Sequence, residues 1–141
     1  MRNGIQALLS FVLFACSATC CSERSYEDKA SDVAFSFATA FYNWDFPAAS
    51  KYASEGSQKW LCYLASQVDT ADIAALREKE KAAEVEILSV NLKGNSDASV
   101  TVAIHNFLSM DSIGHRPVCQ ASDTVDIEVN GFKVECSHLG L

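Results

Sequence analysis

Of the residues in this 141-residue chain that can do chemistry, six cysteines and three histidines are the first to weigh. Cys16, Cys20 and Cys21 crowd together at the end of an apolar run, whereas Cys62, Cys119 and Cys136 are scattered through the rest. A thiolate zinc site needs ligands at a characteristic spacing, usually C-x-x-C with a second pair elsewhere. The N-terminal cysteines have no spaced histidine partner. Cys136 and His138, two apart, lack a second pair. No Gly-rich phosphate loop, Ser/His/Asp order or paired-carboxylate motif is present. No metal and no cofactor is therefore expected. Formal charge is −7, from 11 basic and 18 acidic residues, and no Lys/Arg run offers a phosphate-tracking surface, so nucleic acid is not an expected partner. The longest charged run, "REKEKAAE" at 77–84, alternates in sign and reads as a solvated helix end.

The N-terminal cysteines are explained by processing. Met1 and Arg2 give a short positive start, and Ile5 to Ala15 form an apolar segment of eleven residues broken only by Gln6 and Ser10. That is the length of a signal-peptide h-region, well short of the ~20 apolar residues that span a bilayer. Leu13-Phe14-Ala15-Cys16 then resembles a bacterial lipobox, with an aliphatic residue at −3, a small one at −1 and a cysteine that becomes the lipidated first residue. Phe14 is bulkier than the usual −2 residue. A diacylglycerol thioether on Cys16 plus an acyl chain on the new amino terminus gives the multi-chain anchoring that one chain does not. Cleavage before Cys20, and ordinary secretory cleavage near Ser17, remain competing readings. The expected organisation is a signal peptide at 1–15, a lipid-anchored tether at 16–26 and one domain at 27–141. The partner of the anchor is the membrane of the cell envelope. Ser17 stands where an inner-membrane retention signal would have Asp, which points to the outer membrane.

The domain is 49% hydrophobic and 21% charged by whole-chain composition, enough for one compact core. From 27 to 44, Ala30, Val33, Ala34, Phe37, Ala38, Phe41 and Trp44 fall on one helical arc opposite Asp28, Asp32, Ser36 and Asn43. Asp45 and Pro47 mark a break and restart, with a short helix expected at 47–53 that stops before Gly56. Ser57 is the expected cap of a helix with Trp60, Leu61, Leu64 and Val68 on one face. Asp69 or Thr70 caps a further turn or two carrying Ile73 and Leu76. Beyond Ala83 the apolar period changes from 3.6 to 2. Val85, Ile87, Val90 and Leu92 make one strand with a slip at Leu88, the composition of 93–97 makes a turn, and Ala98, Val100, Val102 and Ile104 alternate in the clearest strand. Val118 to Val129 and Phe132 to His138 flank Asn130-Gly131, a strong hairpin signal, which places Val129 opposite Phe132 and Ile127 opposite Val134. Helices first and a four-stranded antiparallel meander last make an α+β domain with helices packed on one face of a curved sheet.

Two stretches carry a family resemblance. "AFSFATAFYNWDFPAASKYAS" and the closing "DTVDIEVNGFKVECS" resemble the opening helix and final hairpin of nuclear transport factor 2-like domains, the cystatin-like α+β cone, over about residues 27–138. Small lipobox-bearing envelope proteins of unknown function within that superfamily are the nearest likeness. The superfamily holds enzymes, ligand binders and interaction modules alike, so the resemblance implies the fold and not the activity. Its isomerase- and dehydratase-like enzymes keep an acid inside the cone. Parity counted back from Val125 puts Cys119, Ala121 and Asp123 inward, and Asp126, Glu128 and His105 outward. Asp123 is thus the one strand acid aimed at a cavity, with Tyr42 or Tyr63 as phenol partners. One acid and a phenol make a thin constellation, and the leading expectation is non-catalytic binding of a small apolar ligand or an envelope protein. Phe35, Tyr42, Trp60 and Tyr63 are the pocket candidates, and for Phe35 and Tyr42 plain packing is the favoured reading, since aromatic stripes at helical spacing are usually core. In the expected register Cys119 lies ~20 Å along the strands from Cys136, beyond disulfide reach, and Cys62 points away from its helix's apolar face. Cys62, Cys119 and Cys136 are therefore expected as buried free thiols acting as small apolar residues.

Overall fold

A computed structural model describes residues 24–109 and 117–136 of the chain. The expected signal peptide at 1–15, Cys16 and most of the expected tether, together with His115 and His138, lie outside the described residues. Within them the protein is α+β: four helices, α1 (Tyr26–Tyr42), α2 (Phe46–Ser50), α3 (Glu55–Gln67) and α4 (Thr70–Glu78), precede four strands, β1 (Glu84–Leu92), β2 (Asp97–Ser109), β3 (Val118–Asn130) and β4 (Lys133–Glu135). The strands form one antiparallel sheet in sequence order, β1-β2-β3-β4.

Helix boundaries follow local chemistry. Ser25 caps α1 by accepting the Asp28 N–H at 3.2 Å, and Glu27 and Asp28 sit in the first turn, where the helix dipole favours acids. Helix α1 ends two residues before Trp44. Trp44 N–H reaches Phe41 O and Asp45 N–H reaches Ala40 O, each at 2.9 Å, and Trp44 has φ 60°. That is a Schellman closure with a tryptophan in the left-handed position where glycine is usual. Asp45 caps α2 as its sequence suggests. The cap of α3 is Ser54 and not Ser57, and Gly56 lies in the first turn of the helix instead of separating two helices. Ser57 is buried instead, and its Oγ accepts the Cys136 N–H at 2.8 Å, tying α3 to the end of β4. Asp69 and Asp72 form a reciprocal capping box on α4, which nevertheless has no buried residue.

In the sheet, the register between β1 and β2 shifts between Ile87 and Ser89, at the Leu88 slip. Val100 pairs with Ile127, Val102 with Val125 and Val129 with Val134. Val100, Val102, Ile104, Ile127 and Val134 are fully buried, as are Ala30, Ala34, Phe37, Ala38 and Leu61 on the helices above them. Each large aliphatic or aromatic side chain sealed this way contributes about 1.5–3 kcal/mol.

The final hairpin differs from the expected one by two residues of register. Asn130 pairs with Lys133, so the two-residue turn is Gly131-Phe132, both at positive φ (52° and 64°), the geometry of a type I′ turn. A shift of two preserves which face each residue occupies, so the buried set is unchanged while Phe132 leaves the strand for the turn. Strand β4 is correspondingly shorter than the 132–138 expected. Its free side is covered by a parallel bridge from Ala53, with Val134 N–H on Tyr52 O (2.7 Å) and Ser54 N–H on Val134 O (2.9 Å). This use of 52–54 also explains why α2 stops at Ser50 and not at 53.

Candidate functional site

The side chains able to do chemistry gather at the end of the sheet where β2 finishes and β3 begins. Asparagine is the non-glycine residue most at ease in the left-handed region, and Asn106 takes φ 56°. It drops out of the pairing between His105–Ser122 and Phe107–Gln120 and turns over the alternation of β2. Ile104 and Phe107, three apart, both meet the core as a result, and the Phe107 ring packs edge-on against Tyr42 at 5.2 Å. Trp44 closes the same corner by donating its Nε1–H to Leu108 O at 3.4 Å. Asn43 pins the start of β1 to the end of α1 by accepting Ala83 N–H at 2.9 Å and donating to Thr39 O and Ala83 O.

Asp123 lies opposite Ile104 and so on the helix-facing side of β3. It is nonetheless exposed, its Oδ1 accepting the Thr124 N–H at 2.8 Å, because the start of β3 runs past the helices that cover the rest of the sheet. Its charge reaches Tyr42. Burial first, and the Asp123 carboxylate second, push the Tyr42 phenol up to about 12. That hydroxyl is a hydrogen-bond donor throughout the physiological range and not a base. Tyr63 takes no part: it is 51% exposed on α3.

Beside this pair an open cleft of about 530 Å³ separates the C-terminal end of α4 and residues 78–81 from the strand ends. Ala75, Leu108 and Pro117 give it apolar walls, Glu78, Lys79 and Lys81 its polar rim, and Cys119 its thiol. Lys79 donates to Asn106 O across the cleft. Partial burial holds its ammonium below the usual lysine range, against an opposing pull from Cys119. Strand parity places Cys119 and Ala121 on the helix-facing side; both are exposed, as is Asp123, because burial on that face of β3 begins only at Val125.

The space between the helices and the sheet is occupied by aromatic rings. Phe41 stacks on Phe37 (5.5 Å) and on Trp60 (5.8 Å) and meets Phe46 edge-on at 5.9 Å. Trp60, a pocket candidate, is thus a packing residue, and Tyr42 packs against Phe41 and Phe107. Phe35 is 44% exposed, outside this stack. The chain matches no family model, no curated protein and no solved structure. The cleft and its rim therefore have to be read from their own chemistry.

Of the three described cysteines all are free, but only Cys136 is the buried thiol expected; burial pushes it up to about 11 against a lowering hydrogen bond from Ser57. Cys62 and Cys119 are exposed, which corrects the expectation for both. His105 faces outward as expected, 3.9 Å from Glu86 on the far side of the sheet from the helices. Among the described residues no group of three His, Cys, Asp or Glu side chains is placed to hold a metal ion. Sequence reasoning missed Lys79, Asn106 and Trp44. Lys79 is hidden in an alternating charge run, and Trp44 on a helical arc. Asn106 carries the one usable signal, an asparagine inside an otherwise alternating strand.

Proposed function

We propose that this chain is a lipid-anchored protein of the cell envelope, a cystatin-like cone held to the outer membrane through Cys16, that binds a small apolar ligand or a protein partner without catalysis. The observation that carries the binding reading is the open cleft beside Cys119, with apolar walls and a charged rim, at the end of a domain whose helices pack their aromatic rings on one another. Ligand pockets combine apolar surface with a few placed polar groups, and Lys79 and Glu78 supply those here. Two non-glycine residues in left-handed backbone, Trp44 and Asn106, converge on the same end, and such outliers concentrate at functional sites. The test is mass spectrometry of the native protein released from its own envelope. Acyl mass on Cys16 together with a bound small molecule or partner is expected, and Cys119→Trp, which fills the cleft from an exposed position, is expected to remove the bound species. A bound species that survives Cys119→Trp would place binding elsewhere.

A second reading, an isomerase- or dehydratase-like enzyme, is favoured by the Asp123–Tyr42 pair. In it Asp123 moves a proton and Tyr42, held neutral, donates a hydrogen bond to a developing oxyanion. Turnover of a β,γ-unsaturated ketone that vanishes in Asp123→Asn would make this the better account.

A further inference from the structure

The opposite end of the sheet, where the described chain begins, holds exposed apolar side chains. Phe132, at the tip of the β3–β4 turn, is 43% exposed although φ 64° is an outlier for a bulky residue and asparagine or glycine would relieve it. Its ring lies 5.1 Å from that of Tyr26, whose hydroxyl donates to Ser96 O, and the Lys29 ammonium sits 5.7 Å over it. Leu92, at the neighbouring end of β1, is 46% exposed. Arg24, Lys29, Lys93 and Lys133 come from three separate stretches of chain to this end. Asp32 pairs with Arg24 and Glu128 with Lys93, so these four cations face five acids, Glu27, Asp28, Asp32, Asp97 and Glu128, a balance of 4 − 5 = −1 in a chain of 11 − 18 = −7. The acidic excess that would repel an anionic surface therefore lies mostly elsewhere in the chain.

The geometry points to this hairpin end as the surface that rests on the phospholipid bilayer holding the anchor, with Phe132, Tyr26 and Leu92 seated at the headgroup level while Lys29 and Lys133 meet phosphates. The inference rests on the lipid-anchored reading. Only seven residues separate Cys16 from Arg24, eight Cα-to-Cα steps that span at most about 29 Å when fully extended. The cleft end lies a further ~40 Å away along the 13 residues of β3. Aromatic rings with lysines beside them match the boundary between acyl chains and phosphates, the lysine stems lying along the apolar layer with their ammonium groups in water. Held this way, the protein presents its cleft away from the membrane.

The test uses the processed, full-length protein in vesicles of phosphatidylethanolamine and phosphatidylglycerol, and in vesicles of phosphatidylcholine alone. Lysines are acylated with a water-soluble reagent and mapped by peptide. Lys29 and Lys133 are expected to react about fivefold more slowly on the anionic vesicles, with Lys59 and Lys81 unchanged. Phe132→Asn, which suits the left-handed backbone, is expected to remove most of that protection at Lys29 and Lys133 while its unfolding midpoint shows it folded. Equal reactivity of all lysines on both vesicles, or protection at Lys59 and Lys81 instead, overturns the inference. Intact mass separates the two failures: protein without acyl mass on Cys16 ends the anchor reading and this inference together, and acylated protein with unprotected hairpin lysines ends this inference alone.

Discussion

The two ends of the sheet are closed by different means. At the hairpin end the closure is backbone to backbone: Gly131 N–H to Ser96 O and Lys93 N–H to Asp97 O at 2.8 Å each, and β4 stitched on its free side by Tyr52 and Ser54. At the cleft end it is made by side chains, with Asn43 bridging to Ala83, the Trp44 indole on Leu108 and the Lys79 ammonium on Asn106. Backbone ladders leave no room between strands. Side-chain bridges span gaps, and the bridge from Lys79 to Asn106 spans the cleft. Helix α4, which forms one wall of it, is held by its own capping box with no buried residue of its own, so the cleft has one firm wall and one weakly held one.

That contrast can be broken by substituting the same residue type at both ends. Phe107→Ala at the cleft end removes a buried ring that abuts Tyr42, and a loss of about 3–5 kcal/mol in urea unfolding is expected. Phe132→Asn at the hairpin end is expected to stay within about 0.5 kcal/mol of the parent, because the ring is half in water and asparagine accepts the backbone. Equal losses would mean that the two ends are built alike.

The pH dependence sharpens the comparison, since Cys136 belongs to the closed end. Its thiol is raised from 9.0 to about 11, so the protonated form is favoured by folding. The stability this confers is complete below pH 9 and is lost as pH rises through about 11, roughly 2–3 kcal/mol in all. Unfolding free energy measured from pH 8 to 12 should fall more steeply in the parent than in Cys136→Ala. An identical slope in both would show that the thiol is not buried in solution.

The smallest effect belongs to α4. Asp69→Ala removes half of its capping box and is expected to cost about 1 kcal/mol of local helix stability. Amide exchange in 70–78 should quicken several-fold, about fivefold for that energy, with exchange in β3 unchanged. Parallel quickening in β3 would show that α4 opens only with the whole domain.

How much of the fold is legible in the sequence can be judged residue by residue. The arc from Ala30 to Phe41 and the alternation from Ala98 to Ile104 are readable, because a helix or strand with one covered face must repeat its apolar residues at the period of its own backbone. Asp45 and Asp69 announce their helices. The Leu88 slip announces the register shift. The cap of α3 falls at Ser54 and not at the expected Ser57 because both serines are good caps, and what separates them is that β4 claims Ser57 for Cys136. The hairpin turn falls one position later than expected for a similar reason: Asn-Gly satisfies a two-residue turn by itself, but the Asn130–Lys133 pairing sets Val134 against Val129 and between Tyr52 and Ser54. Of the candidate site, Asp123 and Tyr42 are singled out by sequence and are coupled in space. The cleft and Lys79 are not legible, since no local pattern relates residue 79 to residues 106 and 119.

By itself the sequence determined the class of the domain, the order of its elements and the covered faces of α1, β2 and the second half of β3, all properties that local backbone periods and caps impose within a few residues. The tertiary structure alone decided which of two competent serines caps α3 and where the last turn falls. It also decided that four cations far apart along the chain share one end while a cleft opens at the other. Such choices depend on contacts between segments tens of residues apart, where the free energy of packing exceeds the small differences between local alternatives.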